Sequence, residues 1–170
     1  DRLISILHVG ISTDGEPALM CSRSTTGSAP YDTQPLVSGV ENFQVLYGVD
    51  GVAPGNTTVP IATAADSVPE RYLRADQLTV AGNDLATYAN WQRVRRLRIG
   101  LVLRGAPGSA LDRTSQTFYP LGSAKASSSG AIGSAFASSS DPNTTFTPAA
   151  DGRLRQVVTF TVHLRNFQGD

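Results

Sequence analysis

The sequence contains few of the side chains on which metal sites and catalysis depend. Its 170 residues include one cysteine and two histidines. Cys21 has no second cysteine to pair with, and a structural zinc site needs four clustered Cys or His ligands. His8 and His163 both fall in predicted strands, whereas catalytic side chains favour loops, and no Gly-x-Ser-x-Gly nucleophile motif occurs. We therefore predict no catalytic residues, no metal and no cofactor.

Charge and long apolar runs are scarce as well. Charged residues make up 16% of the chain, against roughly 25% in an average globular protein. Fourteen basic and fourteen acidic side chains cancel, so no overall field attracts the chain to nucleic acid or to an anionic membrane surface. The longest apolar stretch, within residues 99–103, is far shorter than the ~20 residues of a membrane-spanning helix. The sequence predicts a soluble chain that is a fragment or a processed form, with a natural N-terminus upstream of Asp1.

Glycine, serine, threonine, alanine and proline are abundant instead, and this composition is typical of a β-domain with long polar loops. The length suits one domain over residues 1–170. Residues 105–152 show no periodic pattern, and sixteen of the nineteen residues 122–140 are Gly, Ser or Ala. We predict that 105–152 is a long insertion or loop within the domain, either disordered or carrying small strands.

Alternating apolar residues predict most of the strands. Residues 3–9 and 18–21 flank turn chemistry at 13–16 and predict a hairpin, while residues 22–35 are interpreted as a loop. Residues 39–50 fit a helix or a strand by spacing, and their β-branched and aromatic content favours the strand. A short helix is predicted at either 76–78 or 84–90, because Gly82 makes one long helix improbable.

Two further strands carry the clearest pattern. In residues 94–104 four apolar side chains share one face, and three arginines are predicted to point outward from the other: Leu97, Ile99, Leu101 and Leu103 against Arg96, Arg98 and Arg104. In residues 154–164 the apolar side chains again alternate: Val158, Phe160, Val162 and Leu164. We predict that these two strands pair in antiparallel fashion.

The densest basic cluster offers an alternative to a purely structural interpretation. It consists of Arg93, Arg95, Arg96 and Arg98, close in sequence to Trp91 and Tyr88. Such a cluster resembles a stacking surface for single-stranded nucleic acid. The interpretation as outward-facing arginines of a half-buried strand is the stronger one, so nucleic acid is not an expected partner. Asp50-Gly51 begins like a calcium loop but lacks the further carboxylates that calcium needs.

Three segments, residues 36–50, 71–104 and 154–166, resemble the PilW family of type IV pilus minor pilins. The most specific runs are V-E-N-F-Q-V-L-Y-G-V-D at 40–50 and L-R-N at 164–166. The residues that carry the resemblance, called the signature residues below, are Val40, Glu41, Phe43, Tyr47, Gly48, Asp50, Trp91, Leu164, Arg165 and Asn166. Residues 19–21 resemble the short Cys-bearing strand of these heads, which implies a possible disulfide from Cys21 to a partner outside this chain.

The resemblance implies a fold and a function. It implies a mostly β, pilin-like antiparallel head with long irregular loops and one short helix, α+β in full length because an apolar N-terminal helix follows a leader cut by a prepilin peptidase. It implies a minor pilin that helps prime pilus assembly and sits in the pilus tip complex. The implied location is the periplasmic face of the inner membrane and then the pilus tip at the cell surface.

The implied partners follow from that role. They are other minor pilins, the large tip adhesin and, through the N-terminal helix, the major pilin and the membrane. Two alternatives stay open: a J-like minor pseudopilin of type II secretion, and an adhesin or DNA-binding tip module that uses the arginine cluster. An enzyme ranks last, because the sequence contains no catalytic constellation.

Overall fold

The computed structural model describes residues 3–53, 68–122 and 145–165. Within these ranges the chain is mostly β, as predicted. The strands are β1 (Ile4–Ile11), β2 (Pro17–Ser24), β3 (Asp32–Ser38), β4 (Val40–Val49), β5 (Arg71–Leu73), β6 (Val94–Arg104) and β7 (Arg155–His163). The helices are α1 (Ala75–Leu78) and α2 (Asp84–Gln92). The strands form two antiparallel sheets, one of three strands and one of four.

The three-stranded sheet has the order β1-β2-β3. The predicted hairpin is confirmed: β1 pairs with β2 from Ile4 opposite Ser24 to Ile11 opposite Pro17. Its turn is closed by the Ser12 amide, which donates to the Glu16 carbonyl at 2.9 Å. Gly15 adopts a φ of +79° there, a conformation that glycine reaches without strain.

The interpretation of residues 22–35 as a loop is wrong at both ends and correct for residues 25–31, which form no strand or helix. β2 continues to Ser24, and β3 begins at Asp32 and pairs antiparallel with β2. Every residue of β3 is exposed, so its sequence has no buried face that an apolar alternation could reveal. Pairing with β2, not local pattern, makes this segment a strand.

The four-stranded sheet has the order β5-β4-β6-β7. The preference for a strand over residues 39–50 is confirmed by β4. The predicted antiparallel pairing of the last two long strands is confirmed as well, since the Leu164 amide donates to the Arg95 carbonyl at 2.9 Å and the Gly105 amide to the Leu154 carbonyl at 2.8 Å. β5 was not predicted, because three residues are too few for a periodic signal.

The prediction that one face of β6 is buried and its arginines point outward is wrong. The most buried side chains of β6 are Val94 and Val102, which by alternation share the face of Arg96 and Arg98. Leu97 and its apolar companions are half-buried. A Cβ added at Gly48 of the neighbouring strand β4 would lie 3.1 Å from the Cβ of Arg96, so residues 48 and 96 are cross-strand neighbours on this face.

Both candidate helical segments are helical, where the sequence analysis expected one of them. Gly82, with a φ of +70°, lies between α1 and α2 and prevents one long helix. The side chain of Asn83 caps α2 by accepting a hydrogen bond from the Ala86 amide at 3.0 Å. An Asn at this position satisfies one of the unpaired amides of the first turn.

The chain divides into two compact units, and three of the five divisions fall within β4, β6 and β7. Unit 1 comprises Asp1–Phe43, Gly100–Pro120 and Phe146–Val158, and unit 2 comprises Gln44–Ile99, Leu121–Thr145 and Thr159–Asp170. The buried apolar residues of unit 1 include Ala18, Met20, Val40 and Val102. The main core of unit 2 consists of Val49, Val52, Leu73, Leu78 and Val94, with Tyr47, Trp91, Leu97 and Leu164 packed against it. That residues 1–170 form one domain stays a prediction.

The predicted insertion at 105–152 is described in part. Residues 105–122 and 145–152 are mostly irregular, and an isolated antiparallel bridge joins Phe118 to Phe146. Residues 123–144, which include most of the Gly/Ser/Ala-rich stretch, lie outside the described residues.

Candidate functional site

The signature residues lie mainly on β4 and beside the core of unit 2. Val40, Glu41, Phe43, Tyr47 and Gly48 belong to β4, and Asp50 follows its last residue. Trp91 lies near the end of α2, Leu164 and Arg165 follow β7, and Asn166 lies outside the described residues.

The aromatic signature residues contact each other. The rings of Tyr47 and Trp91 meet edge to face, with centroids 4.8 Å apart and planes 81° apart. Both rings pack against the buried cluster that contains Val49 and Leu73. Burial raises the pKa of the Tyr47 hydroxyl. An edge-to-face pair of this kind adds specific orientation to apolar burial, so these two residues attach α2 to the sheet.

Gly48 is required by the close approach of its neighbours. A Cβ at this position would lie 3.0 Å from Cε1 of Tyr72 and 3.1 Å from the Cβ of Arg96. Both distances are shorter than ordinary van der Waals contacts. A side chain at residue 48 would therefore require the Tyr72 ring and the Arg96 side chain to shift by a few tenths of an ångström.

Asp50 is buried, with 1% of its surface exposed. Its carboxylate lies 3.7 Å from Nε of Arg95. Nη1 of Arg93 donates to the Asp50 backbone carbonyl at 3.4 Å. The residue considered as the start of a calcium loop is thus held by arginines, and among the described residues no group of three or more possible metal ligands comes together.

The other two arginines of the cluster also contact acceptors within unit 2. Nε of Arg96 donates to Nδ1 of His163 at 3.2 Å, and Nη2 of Arg98 donates to the Leu121 carbonyl at 3.5 Å. Arg96 and Arg98 are half-buried. These contacts favour a structural role for the cluster, and its proposed contact with nucleic acid stays a prediction.

Unit 1 contains a network of ion pairs that the sequence analysis missed. Three carboxylates and three guanidinium groups take part: Glu16, Glu41 and Asp151 with Arg104, Arg153 and Arg155. The residues are up to 139 positions apart in sequence, and local charge spacing carries no signal for contacts at such separations. The only available signal was the presence of Glu41 among the signature residues.

Glu41 and Arg155 form the most buried pair of the network. Nε of Arg155 donates to one oxygen of Glu41 at 2.6 Å and Nη2 donates to the other at 3.0 Å, a bidentate geometry. Their side chains are 10% and 6% exposed. These bonds, together with those that Arg155 donates to Asp151, raise the pKa of Arg155.

The outer carboxylates are held in ionised form. Nη1 of Arg155 donates to Oδ1 of Asp151 at 2.8 Å, and hydrogen bonds from this guanidinium lower the pKa of Asp151 to about 2. Glu16 accepts bonds from Arg153 at 3.1 Å and from Nε of Arg104 at 3.0 Å, and these bonds lower its pKa. The network joins the β1–β2 turn, β4 and the segment that leads into β7.

The two histidines lie in strands, as predicted. Nε2 of His8 lies 3.0 Å from Oγ of Ser22, which lies 2.7 Å from Oγ1 of Thr33, so the three side chains form a polar row across β1, β2 and β3. Nδ1 of His8 faces the Val9 carbonyl, where a catalytic histidine would be oriented by a carboxylate. The row is therefore interpreted as cross-strand pairing.

Cys21 lies on β2 and is half-buried. In the β-sheet register it is opposite Leu7 of β1 and Gln34 of β3. Its disulfide to a partner outside this chain stays a prediction.

An apolar surface lies on the part of the four-stranded sheet that belongs to unit 2. From the bond between Leu164 and Arg95, the antiparallel register places Val162 opposite Leu97 and Phe160 opposite Ile99. Phe160 is 42% exposed and Val162 is 38% exposed. Val45, on the same face of β4 as Tyr47, is half-buried like Leu97 and Ile99. We call Val45, Leu97, Ile99, Phe160 and Val162 the apolar sheet face.

The fold and these surfaces define a class of protein. It is a β-sheet head that exposes an apolar sheet face and whose buried charged side chains form ion pairs. Within the described residues, neither helix has the length and apolar character needed to cross a membrane. The sequence model of the family PilW, type IV pilus-assembly protein W, matches residues 6–166.

The chain therefore belongs to the PilW family. Membership connects it with type IV pilus assembly, with an envelope or pilus location and with other pilus components as partners. The family is one of pilus assembly and is not a known enzyme family. No curated protein and no solved structure matched the chain.

Proposed function

We propose that this chain is the globular head of a minor pilin that helps prime type IV pilus assembly and sits in the pilus tip complex. It acts through protein–protein contacts and not as an enzyme. Its partners are other minor pilins and the large tip adhesin. It is held at the periplasmic face of the inner membrane before assembly and is found at the pilus tip afterwards.

The observation that carries this proposal is the apolar sheet face. A sheet normally buries its apolar face against a second layer of helix or sheet. Here Phe160 and Val162 keep 42% and 38% of their surface exposed although they continue the apolar rows of β6. Exposed apolar surface on a folded head marks an interaction site.

The proposed role implies two structural elements that would pack against the apolar sheet face. The apolar N-terminal helix that the resemblance implies would supply a helical second layer, and through it the major pilin and the membrane become partners. Neighbouring heads would cover what the helix leaves exposed. The helix would cover part of the apolar sheet face within one subunit, and the part covered by neighbouring heads becomes buried on assembly.

The test is complex formation by the purified head. We expect it to co-elute in size-exclusion chromatography with the heads of other minor pilins and with the large tip adhesin, and we expect deletion of the full-length gene to abolish piliation. A well-folded head that binds none of these proteins, combined with normal piliation in the deletion strain, would refute the proposal.

A further inference from the structure

The outer edge of β1 presents unpaired backbone groups in a regular row. Bonded pairs alternate along an antiparallel ladder. The Ser12 amide donates to the Glu16 carbonyl, so residues 12 and 16 are a bonded pair, and by alternation the even-numbered residues of β1 bond to β2. The odd-numbered residues then direct their N–H and C=O groups outward; they are Ser5, Leu7, Val9 and Ile11.

The opposite edge of β2 supports this assignment. The Gly39 amide donates to the Pro17 carbonyl, so the odd-numbered residues at the start of β2 face β3 and the even-numbered ones face β1. β1 is the terminal strand of its sheet. In the part of the chain that the structure describes, no backbone group outside β2 bonds to the outward groups of β1, and the Val9 carbonyl has a side-chain contact, with Nδ1 of His8 at 3.4 Å.

The two edges of this sheet differ in how they are protected. Natural edge strands are shielded from pairing by proline, charged side chains or bulges. β3 contains Pro35, which lacks an amide, and its pairing with β2 shifts register between Leu19 and Met20. β1 contains no proline, no Asp, Glu, Lys or Arg, and no register shift over its eight residues.

The side chains of β1 are also suited to pairing. Leu7 is 48% exposed on one face and Ile6 is 42% exposed on the other. Val9 and Ile11 extend the first face beside Leu19 of β2. An added strand would therefore gain cross-strand apolar contacts on both faces in addition to backbone hydrogen bonds.

We propose that a second copy of this chain adds its own β1, antiparallel, to this edge. A two-fold axis perpendicular to the sheet keeps each side chain on its original face. An axis at Leu7 places Leu7 opposite Leu7 and Ser5 opposite Val9, so outward groups meet outward groups. The strand is thus self-complementary. It contains no Asp, Glu, Lys or Arg, so the pairing places no two of these side chains with the same charge opposite each other.

The size of the contact determines its strength. One strand pair buries less than the ~800 Å² per partner of a standard interface, so the dimer is weak and reversible. Isologous pairing closes at two copies, and Pro35 protects the other edge of the sheet from extending the assembly. This pairing goes beyond the proposed role in the pilus and does not depend on it.

The experiment uses two readouts on the whole chain. Analytical ultracentrifugation from low micromolar to millimolar concentration measures self-association, and residue-resolved amide hydrogen exchange measures protection of the outward amides. We expect a concentration-dependent dimer in which the amides of Leu7 and Val9 become protected.

Leu7→Pro removes an outward amide but no β1–β2 bond, and should weaken association roughly tenfold or more. Leu7→Ala keeps the amide and should still dimerise.

Circular dichroism first establishes that each variant is folded. Where Leu7→Pro does not fold, Ser5→Pro with Ser5→Ala as its control tests the same edge closer to the strand end. A monomer at every concentration with unprotected outward amides would overturn the proposal, as would a dimer unaffected by a folded proline variant. Protection that arises only when another pilin head is added would also overturn it and would assign the edge to that head.

Discussion

At the scale of single residues, six charged side chains form a network of ion pairs within unit 1. Glu41 is an example, because this signature residue accepts hydrogen bonds from Arg155 and Arg104. Asp50 and Gly48 likewise have structural explanations in burial and close packing. The resemblance to PilW therefore rests, at these positions, on residues that form the head.

Replacing Glu41 should destabilise the head strongly. Glu41→Ala leaves the buried guanidinium of Arg155 with the bonds to Asp151 alone, and the loss of hydrogen bonds to a buried charged group costs about 2 kcal/mol or more. Guanidinium chloride unfolding monitored by circular dichroism measures the loss. Asp76→Ala is the matched control, because the side chain of Asp76 is 67% exposed in its pair with Arg74, and exposed pairs contribute about 1 kcal/mol or less. Equal losses in the two variants would contradict the structural role of Glu41.

The outer carboxylates predict acid sensitivity. The pKa of Asp151 is lowered from 3.8 to about 2 in the folded head, so its stabilising contribution is complete above pH 3.8 and is lost as the pH falls to about 2. The lowered pKa of Glu16 acts in the same direction. We expect the thermal midpoint to fall over this interval and Asp151→Asn to reduce the fall. An unchanged acid dependence in Asp151→Asn, measured by thermal denaturation at a series of pH values, would contradict this prediction.

At the scale of elements, alternation predicted the long strands and missed the others. β4, β6 and β7 alternate because at least one of their faces contacts apolar neighbours. β3 is exposed along its whole length and β5 has three residues, so neither has a pattern of its own. The sequence analysis placed the arginines of β6 on an outward face, and this prediction was wrong. Alternation identifies which residues share a face of a strand but not which of the two faces is buried.

The N-cap residue of α2 is a local sequence signal, and its contribution to stability can be measured directly. Asn83 caps the helix through its side-chain oxygen, which accepts from the Ala86 amide at 3.0 Å. We expect Asn83→Ala to lower the free energy of unfolding by about 1 kcal/mol and Asn83→Asp to leave it nearly unchanged, because Asp retains the acceptor. Denaturant unfolding of the three proteins gives the comparison. A similar loss in both variants would show that the cap bond does not stabilise α2.

At the scale of the whole molecule, the exposed apolar surface separates folding from assembly. We expect Phe160→Ser to reduce binding to the other minor pilin heads while the unfolding midpoint changes little, because Phe160 is already 42% exposed. Leu111→Ser is the control, since Leu111 is fully exposed and lies outside the apolar sheet face. Size-exclusion binding assays with both variants measure the difference. Equal binding by the two variants would remove the apolar sheet face from the proposed interface.

The sequence by itself determined the fold class, the hairpin of β1 and β2, the long strands and the family, because these depend on short-range alternation, turn chemistry and a run of signature residues. Only the tertiary structure decided which face of β6 is covered, that β3 is a strand, and that Glu16, Glu41 and Asp151 meet Arg104, Arg153 and Arg155. Those outcomes depend on contacts between residues far apart in sequence. Local patterns record the neighbours of a residue along the chain, whereas burial and ion pairing are set by its neighbours in space.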